Sequence, residues 1–194
     1  MDKDEKLREL HRTWAEKNTC GLKASATQPV FGDGSSRAQI VFVGEAPGKS
    51  EDIEGRPFVG AAGKFLAEML GDIKLAREDV YITNIVKYRP PNNRDPEPEE
   101  KEACAPWLRE ELNLIAPKLV IFLGRHSMSN FFPDLRISEV HGKLIHKKFK
   151  HMNTEYFLPL YHPAAALYNG GMRDTLKEDF ACIPKILEKI EKAQ

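Results

Sequence analysis

Cysteine is scarce in this chain: Cys20, Cys104 and Cys182 are three in 194 residues, widely spaced and without a CxxC pair. An odd, scattered set excludes a disulfide framework and suits reduced thiols. Uninterrupted apolar runs are short, as at Leu119 to Leu123, well below the roughly 20 residues of a spanning helix. Neither sign of charge dominates, since 29 Lys and Arg balance 29 Asp and Glu. Bulk charge therefore leaves no nucleic-acid footprint, and any such footprint must be local. No apolar signal core follows the charged start Met1-Asp2-Lys3-Asp4-Glu5-Lys6, so a cytoplasmic address and no membrane partner are expected. Hydrophobic residues make up 41% of the chain and charged ones 30%. That balance can bury one sizeable core, and a single domain over residues 1–194 is expected.

Leu7, Leu10 and Trp14 recur with helical spacing and predict a first helix over Glu5 to Lys17. Thr19 to Arg37 reads as a long connection. The segments 38–43 and 119–123 are apolar on both faces, as in strands covered by helices on either side, and Val80 to Thr83 is a third strand. Ala61 to Leu70 predicts a helix. Another follows the Pro-rich loop from Arg89 to Pro98, with Pro106 kinking it or delaying its start. Gly142 to Pro159 reads as a strand pair, and one final helix follows Gly170-Gly171. Strands alternating with helices predict a three-layer αβα sandwich around a parallel sheet. Gly44-Glu45, Asn84, Gly124 and His162 each follow a strand end, where open α/β sheets bind their ligands.

Gly44 to Ser50 approaches a phosphate-binding loop but is one residue short of GxxxxGK[ST], and Pro47 removes a backbone donor. Glu45, Glu51 and Asp52 crowd beside it, a grouping suited to positioning water or a developing cation. Phe58, alone among small residues from Gly55 to Gly63, could stack on a flat ligand or simply fill the core. Asn84 could donate to and accept from adjacent groups on a nucleobase edge, or satisfy the backbone. Asn93 could hold a water in a stiff turn. His162 precedes Pro163 and a short helix, a setting for an anion, although a lone His is more often a satisfied structural residue. Lys87, Arg89 and Arg94 form one basic group. Lys143, Lys147, Lys148 and Lys150 with His141, His146 and His151 form another. Either could attract a phosphate backbone, and either could be a solvated surface.

Together these segments resemble the uracil-DNA glycosylase superfamily, specifically its family 4 type. The resemblance rests on Gly44-Glu45-Ala46-Pro47-Gly48 with Glu51-Asp52, on Gly55-Arg56-Pro57-Phe58-Val59-Gly60, on Thr83-Asn84 through Arg89-Pro90-Pro91-Asn92-Asn93-Arg94, and on His162-Pro163. It implies a central four-stranded parallel sheet and hydrolysis of the N-glycosidic bond of flipped-out uracil in single- or double-stranded DNA, by a monomer. In that light Phe58 stacks on the base, Asn84 reads its edge, and Glu45 and Ala46 line the pocket. Glu51 and Asn93 handle water, and His162 donates to the departing base. Lys87, Arg89 and Arg94 are expected to contact DNA. Leu167 or Tyr168 stands where relatives usually carry a Leu-Leu-Arg wedge.

The resemblance also implies a four-iron, four-sulfur cluster, yet only Cys20 and Cys104 match its ligand positions. Lys17 and Tyr88 stand at the other two, so no cofactor and no metal are expected, with packing around Tyr88 and Trp107 in the cluster's place. A protein that binds or senses uracil in DNA with little turnover is the alternative from another class.

Overall fold

The apolar runs assemble into one sheet. A computed structural model describes residues 2–193. In order, the elements are α1 (Lys3–Lys17), β1 (Asp33–Gly34), β2 (Ile40–Gly44), α2 (Lys49–Glu54), α3 (Ala61–Asp72), β3 (Tyr81–Asn84), α4 (Pro98–Ile115) and β4 (Leu119–Leu123). They continue with α5 (Arg125–Ser129), α6 (Ile137–Val140), β5 (Ile145–His146), β6 (Tyr156–Leu160), α7 (Ala165–Tyr168), α8 (Gly171–Ala181) and α9 (Ile183–Ala193). Short 3-10 turns join some of them.

The sheet order is β1-β3-β2-β4-β6-β5. The central β3, β2, β4 and β6 are parallel, as expected, while β1 and β5 add an antiparallel strand at each edge. These edge strands have two residues each, too few to carry an alternating pattern. All five residues of β2 and of β4 are buried, and the two-residue period sorts them between two cores. Val41, Val43, Val120 and Phe122 pack with Trp14, Leu108 and Leu112 from α1 and α4. Ile40, Phe42, Ile121 and Leu123 pack with Leu66, Met69, Phe180 and Ile190 from α3, α8 and α9.

Two helix expectations need correction. The helix around Pro106 starts at Pro98 and continues to Ile115, so its start is not delayed. The final helix is two, with Cys182 between them and Pro184 in the first turn of α9, where its missing N–H has no helical partner to lose. Among the described residues no helix is long and apolar enough to cross a membrane.

Register brings the strand ends together: Gly44 pairs with Asn84, Val43 with Phe122, and Leu123 with Leu160. Beneath that edge lies a buried polar knot. Lys87 Nζ pairs with Glu111 Oε2 at 2.7 Å, and donates to Thr83 Oγ1 and, at 3.0 Å, to the Asn84 carbonyl. Tyr81 Oη donates to Glu111 Oε1 at 2.7 Å, and His11 Nε2 lies 3.1 Å from the same oxygen. Burial opposes ionisation of Glu111, but the Lys87 ammonium and His11 hold its carboxyl well below the usual range. Lys87 is thus a core residue, and its expected role in DNA contact is corrected. Its amine satisfies Glu111, 24 residues along the chain.

Removing one member of a buried pair strands the other charge, at about 3–5 kcal/mol. Lys87→Met is expected to lose that much stability in urea denaturation, and adding Glu111→Gln should restore most of it. Equal loss in the single and double variants would show that the pair is not what stabilises this region.

Candidate active site

The C-terminal edge of the sheet opens into a cavity of about 470 Å³, within the usual range for ligand pockets. Its lining includes Glu45, Ala46, Glu51, Phe58, Asn84, Asn93 and His162. All seven residues expected to act on or hold the base and the water therefore meet in one place, though they come from separate stretches of chain.

Gly44 makes their approach possible. A Cβ at that position would overlap Asn84 Oδ1 and lie 2.7 Å from the Phe58 ring. Phe58 is 7% exposed and adopts φ 53°. That backbone angle is strained for a bulky residue. Gly63 permits the turn, since a Cβ there would collide with the Phe58 carbonyl. The Arg77 guanidinium secures it by donating to the carbonyls of Pro57 and, at 3.2 Å, Phe58. No local pattern marks Arg77 for this task. The Phe58 ring packs against the His162 ring with centroids 5.6 Å apart and 29° between planes. Phe58 thus serves the core and the cavity wall together.

Asn84 is 2% exposed, and its Oδ1 is buried without a hydrogen-bond partner among the described residues. Such an orphan is costly unless a donor from outside the chain completes it. Glu51 Oε1 accepts from the backbone N–H groups of Val59 at 3.0 Å and Gly60 at 2.9 Å. Those bonds fix the carboxylate on the cavity wall. Its neighbour Asp52, grouped with it in the sequence, is instead buried and accepts from Thr27 N at 2.8 Å and Thr27 Oγ1 at 2.7 Å; it ties down the long connection and handles no water.

At His162, Nδ1 accepts a 3.1 Å hydrogen bond from the Ala164 N–H, which places the ring proton on Nε2 in the neutral imidazole. Burial, partly opposed by Glu51, pushes the pKa down to about 4. At neutral pH the ring is therefore an uncharged donor. A short helix does follow it, as the sequence predicts, and the Ala164 N–H at its start is taken by the imidazole.

Asn93 lies at the exposed rim, where its Oδ1 accepts from Arg89 Nε at 2.7 Å and its amide donor is left for other partners. Arg94 makes 2.7 and 2.9 Å bonds to Glu100, so its guanidinium chiefly holds the start of α4. Leu167 and Tyr168 are 46% and 91% exposed, and Tyr168 stands at the mouth of the cavity. The basic stretch from 141 to 151 is neutralised only in part: His146 and Lys148 face Glu155 and His141 faces Asp179, while Lys143, Lys147 and Lys150 have no ion pair among the described residues.

Glu45 Oε1 is buried with no hydrogen-bond partner, and burial, then Asp95, raise the carboxyl to about 7. Asp95 and His126, which the motifs do not mark, stand beside it, with ligand atoms of all three within 4.8 Å. They could gather a cation. However, Arg125 Nε already donates to His126 Nε2 at 3.1 Å, and Asp95 lies 3.2 Å from that nitrogen.

The four-thiolate site implied by the family resemblance does not fit this chain. Three cysteines cannot supply four ligands, and Cys182 is exposed on the remote α8–α9 junction. Cys20 and Cys104 are buried next to each other, while Lys17 points to solvent. Tyr88 is 3% exposed, with its ring 5.1 Å from that of Trp14, which itself meets Phe31 edge-on at 5.5 Å.

Residues 31–191 match the family described as the Uracil DNA glycosylase superfamily. The chain is 49% identical over 173 residues to a Type-4 uracil-DNA glycosylase of Sulfurisphaera tokodaii, covering 86% of this chain and 78% of the relative. It is 48% identical over 174 residues to that of Saccharolobus solfataricus, covering 87% and 80%. With that of Archaeoglobus fulgidus it shares 45% identity over 195 residues, 95% of each chain.

The raised Glu45 carboxyl has a consequence for stability. The folded state holds this proton more tightly than the unfolded chain does, so its ionisation weakens the fold as pH rises from the ordinary value of 4.5 through about 7. Glu45→Gln removes the penalty. Its melting temperature is expected to exceed the parent's by a few degrees at pH 8, equivalent to about 1–3 kcal/mol, and to match it below pH 4.5. A gap independent of pH would refute this assignment.

Proposed function

The chain belongs to the uracil DNA glycosylase superfamily, and on that premise we propose that it hydrolyses the N-glycosidic bond of uracil in DNA, leaving an abasic site for base excision repair. The observation that carries the reading is the buried, unpartnered Asn84 Oδ1 beside the Phe58 ring. Uracil offers an N–H with a carbonyl next to it, a match for the two halves of an amide. Cytosine has an acceptor at that ring nitrogen and would leave Asn84 Oδ1 unsatisfied.

The chemistry follows from charge. Cleavage gives the base an electron pair and the sugar oxocarbenium character, so a donor is needed on one side and an anion on the other. His162 Nε2–H supplies the donor and, with a pKa of about 4, does so as a neutral imidazole. Glu51, held by two backbone N–H groups, supplies the carboxylate and, with the Asn93 amide, orients water toward the sugar. Glu45 and Ala46 limit the pocket on the side where thymine carries its methyl group. The base must first leave the stack, which is least costly where it is mispaired or unpaired. Leu167 and Tyr168 provide the apolar wedge at the mouth, and Arg89 a phosphate contact. Uracil-containing DNA, single- or double-stranded, is the partner, and the chain works as a single-domain monomer in the cytoplasm.

The same reading holds that this protein works without a cluster. The aromatic packing of Trp14, Phe31 and Tyr88 supports the region where the ligand positions would lie, and no step of the reaction passes through iron.

On an oligonucleotide with one uracil, cleavage after alkali is the direct test. His162→Ala and Asn84→Ala are each expected to slow release at least about tenfold while melting like the parent, since one aimed donor contributes about 3–4 kcal/mol. Parental rates in both would mean that the site lies elsewhere. Uracil-specific binding by the parent, with no alkali-labile product at any pH, would leave a sensor in place of an enzyme.

Purified protein should also be colourless, with far less than stoichiometric iron. Four irons per chain in an anaerobic preparation would overturn the cluster-free reading.

A further inference from the structure

A second cavity, about 510 Å³, lies on the flank of the molecule between α4, the end of α5 and the turn before β6. Its floor is apolar: Leu108 from α4, then Phe131, Phe149 and Met152. Its rim is cationic: Lys101, Arg109 and Lys150, with Glu102 the opposing acid. Among the described residues, none of these three cations has an ion pair. Unpaired cations occur elsewhere on the surface, Lys49, Lys64 and Lys147 among the described residues, but here three of them border one apolar floor. An apolar trough edged by unpaired positive charge is incomplete on its own.

We propose that this groove docks an acidic peptide segment of a partner protein, with one bulky apolar side chain seated on Phe131, Phe149 and Met152 and flanking carboxylates paired with Lys101, Arg109 and Lys150. The thioether of Met152 adapts to side chains of different shape. A DNA strand suits the groove less well. Phe131 and Phe149 meet each other edge-on, at 6.2 Å and 74°, and Phe131 also leans on Phe122 at 4.8 Å, so the floor is a dimple and not a flat stacking platform. Asp95 on the catalytic cavity stands three residues before Pro98, the first residue of α4, on this one, so the two rims adjoin. A docked partner would stand beside the uracil pocket without entering it.

The test uses fluorescence anisotropy with the full chain. The probe is a labelled peptide of about ten residues, rich in Asp and Glu around one Phe, long enough to cross the groove at roughly 3.3 Å per residue. It is expected to bind, to lose at least about fivefold in affinity when its Phe becomes Ser, and to weaken with salt. Arg109→Glu with Lys150→Glu should cost at least about tenfold while leaving uracil release unchanged, because both residues are exposed and outside the catalytic cavity. The proposal fails if a Lys-rich control peptide binds equally well, or if the charge reversal leaves the acidic peptide's affinity intact. It fails equally if that reversal abolishes binding of a uracil-free single-stranded oligonucleotide while sparing the peptide, which would make the groove a nucleic-acid surface. Peptide binding and uracil release are read separately, so failure of either leaves the other standing.

Discussion

The site depends on one close approach, that of Asn84 and Phe58 over the bare backbone of Gly44. Parallel pairing sets Gly44 and Asn84 side by side at the ends of β2 and β3, so any side chain at the first would fill the space in which the second works. The strained Phe58 backbone then requires Gly63 below it and Arg77 to clasp its carbonyl. Strain of this kind persists only where the surroundings over-determine it, and here a sheet register, a helix start and a guanidinium all do so. The outcome is a wall with a ring on one side and an unsatisfied amide oxygen on the other, fixed before any ligand arrives.

Electrostatic preparation follows from the same burial. The enclosure that desolvates His162 lowers its pKa and keeps it neutral, and the Ala164 N–H selects the tautomer with its proton on Nε2. A neutral donor gives up less to water than a cation would and strengthens toward an acceptor that gains charge, which is the difference a catalyst needs. Glu45, enclosed beside Asp95, instead resists ionisation, so the cavity wall carries less negative charge at neutral pH than its composition suggests. Glu51 is fixed in orientation by two backbone donors. Two carboxylates on one short stretch thus have different tasks, set by their surroundings.

The centre of the fold and the membership of the site were legible because both are written locally. Runs apolar on both faces mark β2 and β4, and each site residue follows a strand end or stands in a loop rich in glycine or proline. What sequence reasoning missed depends on partners far along the chain. Lys87 beside Arg89 reads as a surface cation, and only the arrival of Glu111 beneath β3 draws it inward. Asp52 beside Glu51 reads as a second acid for the site, until Thr27 takes both of its oxygens. Arg77, Asp95 and His126 carry no motif at all. Each acts through a neighbour that the fold delivers, so no window of sequence contains the pair.

The same logic bears on how α1 and α4 are joined to the sheet without four thiolates. Two kinds of contact span the gap between these helices and the sheet. Trp14, Phe31 and Tyr88 interlock from α1, the long connection and the segment after β3, giving apolar burial with the angular preferences of aromatic pairs. The Lys87–Glu111 knot, with His11 and Tyr81, adds a polar tie from α1 through α4 to β3. Burial alone would hold the helices near the sheet but leave their rotation loosely set. The directional bonds define that rotation, and the Asn84 carbonyl is among their acceptors, so the packing of α1 and α4 bears directly on the strand end that presents Asn84 to the cavity.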